Sequence, residues 1–212
     1  SPRAVAWRHG MRVDPVILEN DFVRLEPLAE RHREPLRAAG NDPDLWRFAV
    51  INQHGTDFDA WMNDRLEATA RGPDLTFAVI DKASGNAAGS SSYLAVVLAH
   101  KRLEIGWTWY ARRFWAGAVN PSCKRLLMGH GFESLGLNRI ELKLDATNQR
   151  SRKAVERLGA KYEGIFRHHM AMPDGRLRDT AYFSVIAAEL PAVKAGLDAR
   201  LRRQLDVAER AL

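Results

Sequence analysis

An α/β (α+β) fold, with one mixed sheet and helices on both of its faces, is the class this sequence predicts, and three observations lead to it. Short β-prone runs and amphipathic helical stretches follow one another in the order ββ-α-α-βββ-α-β-α-ββ-α. Residues 103–145 read as strand, loop, helix and strand, a βαβ-like unit. The 212 residues are 46% hydrophobic and 27% charged, a globular composition that excludes a disordered chain, a collagen or a disulfide scaffold. A chain of this length buries enough apolar surface to need neither metal nor disulfide.

Taken in order, residues 16–18 and 22–25 are β-prone and flank Glu19-Asn20-Asp21, which reads as a hairpin turn. Residues 27–39 read as a helix stopped by Gly40-Asn41-Asp42-Pro43. A second helix spans 56–70, with Thr56 as N-cap, Asp57 and Asp59 in its first turn and Gly72-Pro73 at its end. Strands are expected at 75–80, 89–98 and 103–110. In the third, Leu103, Ile105, Trp107 and Trp109 share one face and Glu104, Gly106 and Thr108 the other. After a loop at 111–120 a helix opens at Pro121 and ends near Gly136. Residues 139–145 form a strand with Ile140, Leu142 and Leu144 on one face; Asn148 caps a helix that ends at Gly159. Strands at 162–172 and 178–188 flank Pro173-Asp174-Gly175, a hairpin turn. From Pro191 onward Leu197, Leu201, Leu205 and Leu212 form the stripe of an amphipathic helix.

The net charge is +6, and Arg supplies 25 of the 32 cations, with Arg3, Arg8, Arg12, Arg200, Arg202 and Arg203 near the ends. Such a balance suits an anionic partner, whether nucleic acid, a membrane surface or a phosphorylated cofactor, or else a solvated arginine-rich surface. No recognised DNA-binding motif or aromatic-and-basic RNA string is present, so nucleic acid is disfavoured. No run of about 18 apolar residues would span a membrane, and the basic first ten residues have no apolar core after them, so no secretory signal is read there. The lone Cys123 permits no internal disulfide and fits a reducing compartment, so a cytoplasmic location is expected. Packing is its expected role, despite a first-turn position that favours a thiolate. His168 and His169 are neighbours on a strand, point to opposite faces and do not ligate one metal together, so no metal is expected.

Several strings, in order and spacing, resemble one family. They are Val23-Arg24-Leu25-Glu26-Pro27-Leu28, Glu104-Ile105-Gly106-Trp107, Phe114-Trp115-Ala116-Gly117, Asp145-Ala146-Thr147-Asn148-Gln149-Arg150-Ser151, Arg157-Leu158-Gly159-Ala160 and Glu163-Gly164. The chain resembles a GNAT-superfamily N-acetyltransferase of the RimJ/RimL, ribosomal-protein N-terminal, type. The resemblance implies a GNAT fold: a single domain whose central sheet is mixed, mostly antiparallel and splayed, with acetyl-CoA in the splay. It divides the chain into an N-terminal extension (1–15), an N-acetyltransferase domain (16–190) and a C-terminal amphipathic helix (191–212). A homodimer is a further implication of the family.

By the same resemblance, the family's pyrophosphate loop falls on Trp115, Ala116, Gly117, Ala118, Val119 and Asn120, with Ala118 and Asn120 where the pattern expects other small residues. Successive backbone N–H groups before a helix cradle phosphate whatever their side chains. Arg112, Arg113 and Lys124, with Arg150 or Arg152, are the neighbouring cations. The superfamily tyrosine that protonates the departing thiolate falls on Val155, which has no proton to give. Ser151 takes the place of a serine near the coenzyme sulfur and is the residue expected to hydrogen-bond the leaving thiolate; Asn148 is an expected cofactor contact. The ordinary structural reading of the pair is an N-cap and a first-turn serine.

Acetyl transfer needs a neutral amine, and free amines are largely protonated at neutral pH. A base that removes the proton speeds the step, and by family position Glu104 is the candidate, against the plainer reading of a solvated or arginine-paired glutamate. Glu163 and Asp145 are weaker rivals, and one position proposed as a base in RimL-type enzymes falls near Met170, so it does not carry over. A backbone N–H between Trp107, Thr108 and Trp109 would activate the carbonyl. Trp46, Trp61 and Trp107 either line a cleft or pack a core. Asp57, Asp59, Asp64 and Glu67 would attract a cationic acceptor or simply face solvent. The expected activity is transfer of acetyl from acetyl-CoA to a primary amine, on a protein N-terminus or a small molecule, by direct attack. The competing readings are a non-catalytic acyl-CoA-binding module and a ribosome- or nucleic-acid-binding module.

Overall fold

The computed structural model describes residues 13–50 and 55–209; the arginines of the first twelve residues, and Leu212, lie outside the described residues. The chain opens with strands β1 (Leu18–Glu19) and β2 (Val23–Pro27) in an antiparallel hairpin. Its turn is held by Asn20, whose Oδ1 accepts the Phe22 and Val23 N–H groups at 3.0 Å. The helix expected from residue 27 starts later. Pro27 still pairs with Phe77, and the Leu28 N–H donates to the Thr76 carbonyl at 2.8 Å. With that backbone held in the sheet, a 3-10 turn at Glu30–His32 leads into helix α1 only at Arg33–Ala39. Tertiary pairing has overridden local propensity.

Helix α2 is Asp57–Arg71, followed by β3 (Leu75–Asp81), β4 (Ala87–Val97) and β5 (Arg102–Tyr110). Helix α3 (Val119–Gly129) begins two residues before Pro121 and runs into a π-helical turn at His130–Ser134. Then come β6 (Arg139–Asp145), α4 (Gln149–Leu158), β7 (Lys161–Ala171), β8 (Leu177–Ile186) and α5 (Leu190–Glu209). Asn148 caps α4 as expected, its Oδ1 accepting the Ser151 N–H at 3.1 Å, and Gly159 ends that helix at φ +94°.

All eight strands form one sheet in the order β1-β2-β3-β4-β5-β6-β8-β7, antiparallel at every step except β5–β6. That parallel pair is joined only from Arg102↔Arg139 to Glu104↔Glu141, after which the strands part. The parting is the splay. On one face of the sheet Leu36 of α1 and Phe58, Trp61 and Met62 of α2 form a core with Trp46 and Trp109. On the other, Cys123 and Leu127 of α3 and Val193 and Leu197 of α5 pack on Ile140, Leu142, Leu144 and Phe183. The stripe of α5 thus joins the central core through Leu197, while Leu205 is exposed.

The even alternation expected for β5 fails after Gly106. Ser90 pairs with Trp109 and Ser92 with Gly106, so Trp107 and Thr108 together oppose Ser91. This is a β-bulge, with Trp107 at φ +48°. It reverses the inside–outside order: Leu103 and Ile105 face the α3/α5 core, whereas Trp109 packs among the α1/α2 aromatics with Trp107 against them.

Candidate active site

The splay opens into two adjoining clefts. One, of about 430 Å³, lies on the α1/α2 side and is lined by Trp46, Glu104, Trp107, Lys143, Asp145 and Arg178, among others. The other, of about 260 Å³, lies toward α3, α4 and α5. Thr108, Lys143, Arg150 and Ser151 line both, so the clefts meet beside the bulge.

The α3-side cleft begins at the loop before α3. Ala116 stands at φ +62° and no side chain caps the helix. An uncapped N-terminus with the positive end of the helix dipole suits an anionic group. Of the expected loop residues, Trp115, Ala116, Gly117 and Asn120 line the cleft. Val119 is buried in the core, so only its backbone is available to a ligand, and Ala118 occupies the N-cap position. The expected cations are arranged differently from one another. Arg112 is ion-paired with Asp42 at 2.9 Å and Asp44 at 3.0 Å, and Arg113 lies over the Phe114 ring. Arg150 stacks 3.5 Å from the Trp115 ring centre, and Arg152 pairs with Glu156.

Lys124 turns inward. It is 8% exposed, and its Nζ donates to Thr108 Oγ1 at 3.3 Å. Burial pushes its ammonium down to about 8, against smaller opposing effects of Cys123 and Glu104. Arg157 of α4 and Arg200 of α5 also line this cleft, where sequence reading had not placed them. Arg200 comes from a tail helix whose docking only the tertiary fold reveals. Burial, and then Arg157 and Arg203, pull its guanidinium below the ordinary value.

Ser151 stands at the junction. Its N–H is held by Asn148, while its hydroxyl has no protein partner among the described residues. Glu104 accepts a hydrogen bond from Lys143 Nζ at 2.8 Å on the α1/α2 side. That bond raises the Lys143 ammonium, although burial, the largest single influence, acts to lower it. Lys143 was missed by sequence reading, although the register pointed to it: Glu141, Lys143 and Asp145 occupy the face opposite the buried Ile140, Leu142 and Leu144. Asp145 is 2% exposed, with Oδ2 paired to Arg176 at 2.6 Å and Oδ1 accepting from Thr147. Glu163 lies outside both clefts, paired with Arg139 and hydrogen-bonded by Ser184 at 2.7 Å, which hold its carboxyl at about 2 against burial. Met170 lines the larger cleft.

The remaining candidates settle into packing. Trp46 both packs edge-on against Trp109 and lines the larger cleft, Trp61 is core, and Trp107 carries Arg65 at 4.2 Å from its ring centre. Cys123 is fully buried, its thiol pushed up to about 12 by that burial. On α2, Asp59 is paired with Arg33 and Arg37, Asp64 with Arg65 and Glu67 with Arg71, so these acids are already neutralised. Among the described residues no group of three His, Cys, Asp or Glu side chains could hold a metal ion, and no helix is long and apolar enough to cross a membrane.

A sheet split between two parallel strands, with a bulge on one and an uncapped helix N-terminus beside it, is the arrangement that the resemblance to acetyltransferases implies. The acetyltransferase (GNAT) domain family matches residues 23–161, and the chain belongs to that family of acetyltransferases. It is 34% identical to a GCN5-related N-acetyltransferase from Brucella melitensis of known structure, covering 90% of this chain and 87% of that one with a TM-score of 0.83. It is 28% identical over 155 residues to the uncharacterized N-acetyltransferase p20 of Bacillus licheniformis, 70% of this chain and 84% of the relative. Mycobacterium smegmatis RimJ, solved in complex with CoA-disulfide, shares the fold at 20% identity and a TM-score of 0.70, over 87% of this chain and 93% of that one.

Proposed function

We propose that acetyl-CoA lies along the α3-side cleft and a primary amine enters from the α1/α2 side, the two meeting at the bulge. The observation that carries this reading is the splay itself: a single opening lined on one side by Ser151 and the α3 N-terminus and on the other by Glu104. The residues present fit a pyrophosphate-bearing thioester. The backbone from Ala116 to Asn120 offers N–H donors at an uncapped helix start, and Arg150, Arg157 and Arg200 supply positive charge around the cleft. When bound, acetyl-CoA supplies the activated acetyl group.

The protein's own residues do the rest. Glu104 accepts a proton from the incoming ammonium, directly or through water, and Lys143 holds its carboxylate in place. The bulge sets Trp107 and Thr108 together opposite Ser91, and an amide of this pair meets the negative charge developing on the acetyl oxygen. The Ser151 hydroxyl donates to the departing sulfur in place of the tyrosine that Val155 cannot supply. The close meeting of the two clefts supports direct attack over a covalent enzyme intermediate, since the nearest thiol, Cys123, is buried and neutral. A cytoplasmic setting and a homodimer belong to the same proposal, with an acceptor that is either a protein N-terminus or a small-molecule amine. For the dimer, β7 is an outer strand of the sheet that exposes Ile165 and Phe166.

Free-thiol release on mixing acetyl-CoA with amines and N-terminal peptides tests the reading. Acetylated product with stoichiometric thiol is the expected result. Coenzyme binding without transfer to any amine would overturn it.

A further inference from the structure

Resting on that reading, the acceptor cleft also says something about the amine. Arg178 lies on β8, two residues beyond the last β6–β8 pair, Asp145↔Thr180, where the splayed face is no longer covered by a neighbouring strand on that side. Its side chain lines the same cleft as Glu104 and Ser151 and is 8% exposed. Its buried Nε has no hydrogen-bond partner, and the guanidinium makes no hydrogen bond or ion pair among the described residues.

The carboxylates around it are committed elsewhere. Glu104 holds Lys143 at 2.8 Å, Asp145 holds Arg176 at 2.6 Å, and Asp74 faces Arg65 at 3.7 Å. Asp145 and Glu104 act on Arg178 only through space, and burial works against its charge. A guanidinium does not escape burial by losing its proton. A buried charge without a hydrogen-bonded partner is costly, and cheap once an anion meets it. The planar donor fork of arginine matches a carboxylate or a phosphate.

We infer that Arg178 is the specificity residue of the acceptor cleft and that the acceptor is a small amine carrying its own anionic group, a carboxylate or a phosphoryl, which Arg178 binds while the amine reaches Glu104. A cleft of about 430 Å³ is of small-molecule size. The anion fills the open donor positions of Arg178, and the amine end is left to the bulge.

The test measures thiol release with paired amines: phenylalanine against phenethylamine, β-alanine against propylamine, and O-phosphoethanolamine against ethanolamine. The first two pairs report on a carboxylate and the third on a phosphate. In the wild type the anionic member of at least one pair is expected to have a kcat/KM about tenfold or more above its neutral partner. In Arg178→Met that ratio falls to near one, and Arg178→Lys keeps part of it. Coenzyme A binding by calorimetry confirms that both variants are folded. Equal kcat/KM within every pair in the wild type would overturn the inference and leave the acetyltransferase reading standing. So would a loss in Arg178→Met that is the same for both members of a pair. Coenzyme binding with no amine acetylated would overturn both.

Discussion

Replacing Lys124 with methionine tests the physics of the splay directly. Lys124 is 8% exposed, and its one side-chain hydrogen bond among the described residues is the 3.3 Å contact to Thr108. Burial lowers its ammonium from 10.5 to about 8. At about 1.4 kcal/mol per pH unit, keeping that charge buried costs the fold about 3 kcal/mol. Methionine fills a similar unbranched volume without the charge, and losing the Thr108 bond returns about 1 kcal/mol. Lys124→Met is therefore expected to be more stable than the wild type by about 2 kcal/mol at pH 7, or about 4–8 °C in Tm.

The pH dependence fixes the cause. Below about 8 Lys124 is charged in both folded and unfolded chains, and the whole cost is present. Between about 8 and 10.5 the folded chain has lost the proton and the unfolded chain keeps it, so the wild type gains on the variant as pH rises. Above 10.5 both are neutral and the advantage of methionine is gone. Urea unfolding of the two proteins at a series of pH values reads this difference. A variant less stable than the wild type at neutral pH, or a difference that does not change with pH, would refute the reasoning.

Other substitutions report on neighbouring parts of the machinery. Glu104→Gln is expected to lower turnover most at low pH, where more of the amine arrives protonated, and a loss of equal size across a kcat/KM–pH profile would remove the base assignment. Ser151→Ala is expected to lower kcat while coenzyme affinity by calorimetry stays close to wild type; equal losses in both would make Ser151 a binding residue. A Cβ on Gly89 would overlap the Trp109 carbonyl and lie 2.8 Å from Tyr110 Cα. Gly89→Ala is thus expected to destabilise the chain by about 3 kcal/mol or more, and wild-type chemical stability would show that β4 and β5 can separate there without loss. Glu163 is held at about 2 by Arg139 and Ser184, so it stabilises the fold above the ordinary carboxylate range and that contribution fades as pH falls from 4.5 toward 2. Glu163→Gln should flatten the acid limb of a stability–pH curve, and an unchanged limb would count against the pairing.

Where a strand carries one unbroken period, its face could be read from the sequence, as for Ile140, Leu142 and Leu144 on β6. Where backbone hydrogen bonding over a distance decides, it could not. Pro27 looks like a helix start and is held in β2 by Phe77, and the Trp107–Trp109 alternation is broken by a bulge that no local residue preference announces. The candidate site divides along the same line. Glu104, Asn148 and Ser151 were reachable because motif spacing in one chain segment carried them. Lys143, Arg178, Arg157 and Arg200 come from four different elements, and only the docking of those elements brings them to the splay.

That docking also changes the meaning of the net charge of +6. Several of the arginines behind that charge are already engaged in ion pairs. Arg33 and Arg37 share Asp59, Arg112 holds Asp42 and Asp44, Arg139 holds Glu163, and Arg176 holds Asp145. The exposed pairs among them contribute little stability, but all of them offset charge that would otherwise draw a polyanion. At the opening between β5 and β6, four arginines have no ion pair among the described residues: Arg150, Arg157 and Arg200 around the α3-side cleft, and Arg178 in the other. A diffuse basic surface would bind any polyanion in proportion to salt. Cations that burial pulls below their ordinary value, as at Arg150, Arg178 and Arg200, are instead placed where a desolvated anion gains most from them. On the proposed reading these four arginines serve two small anionic groups, one entering each side of the splay, rather than a nucleic acid lying across the surface.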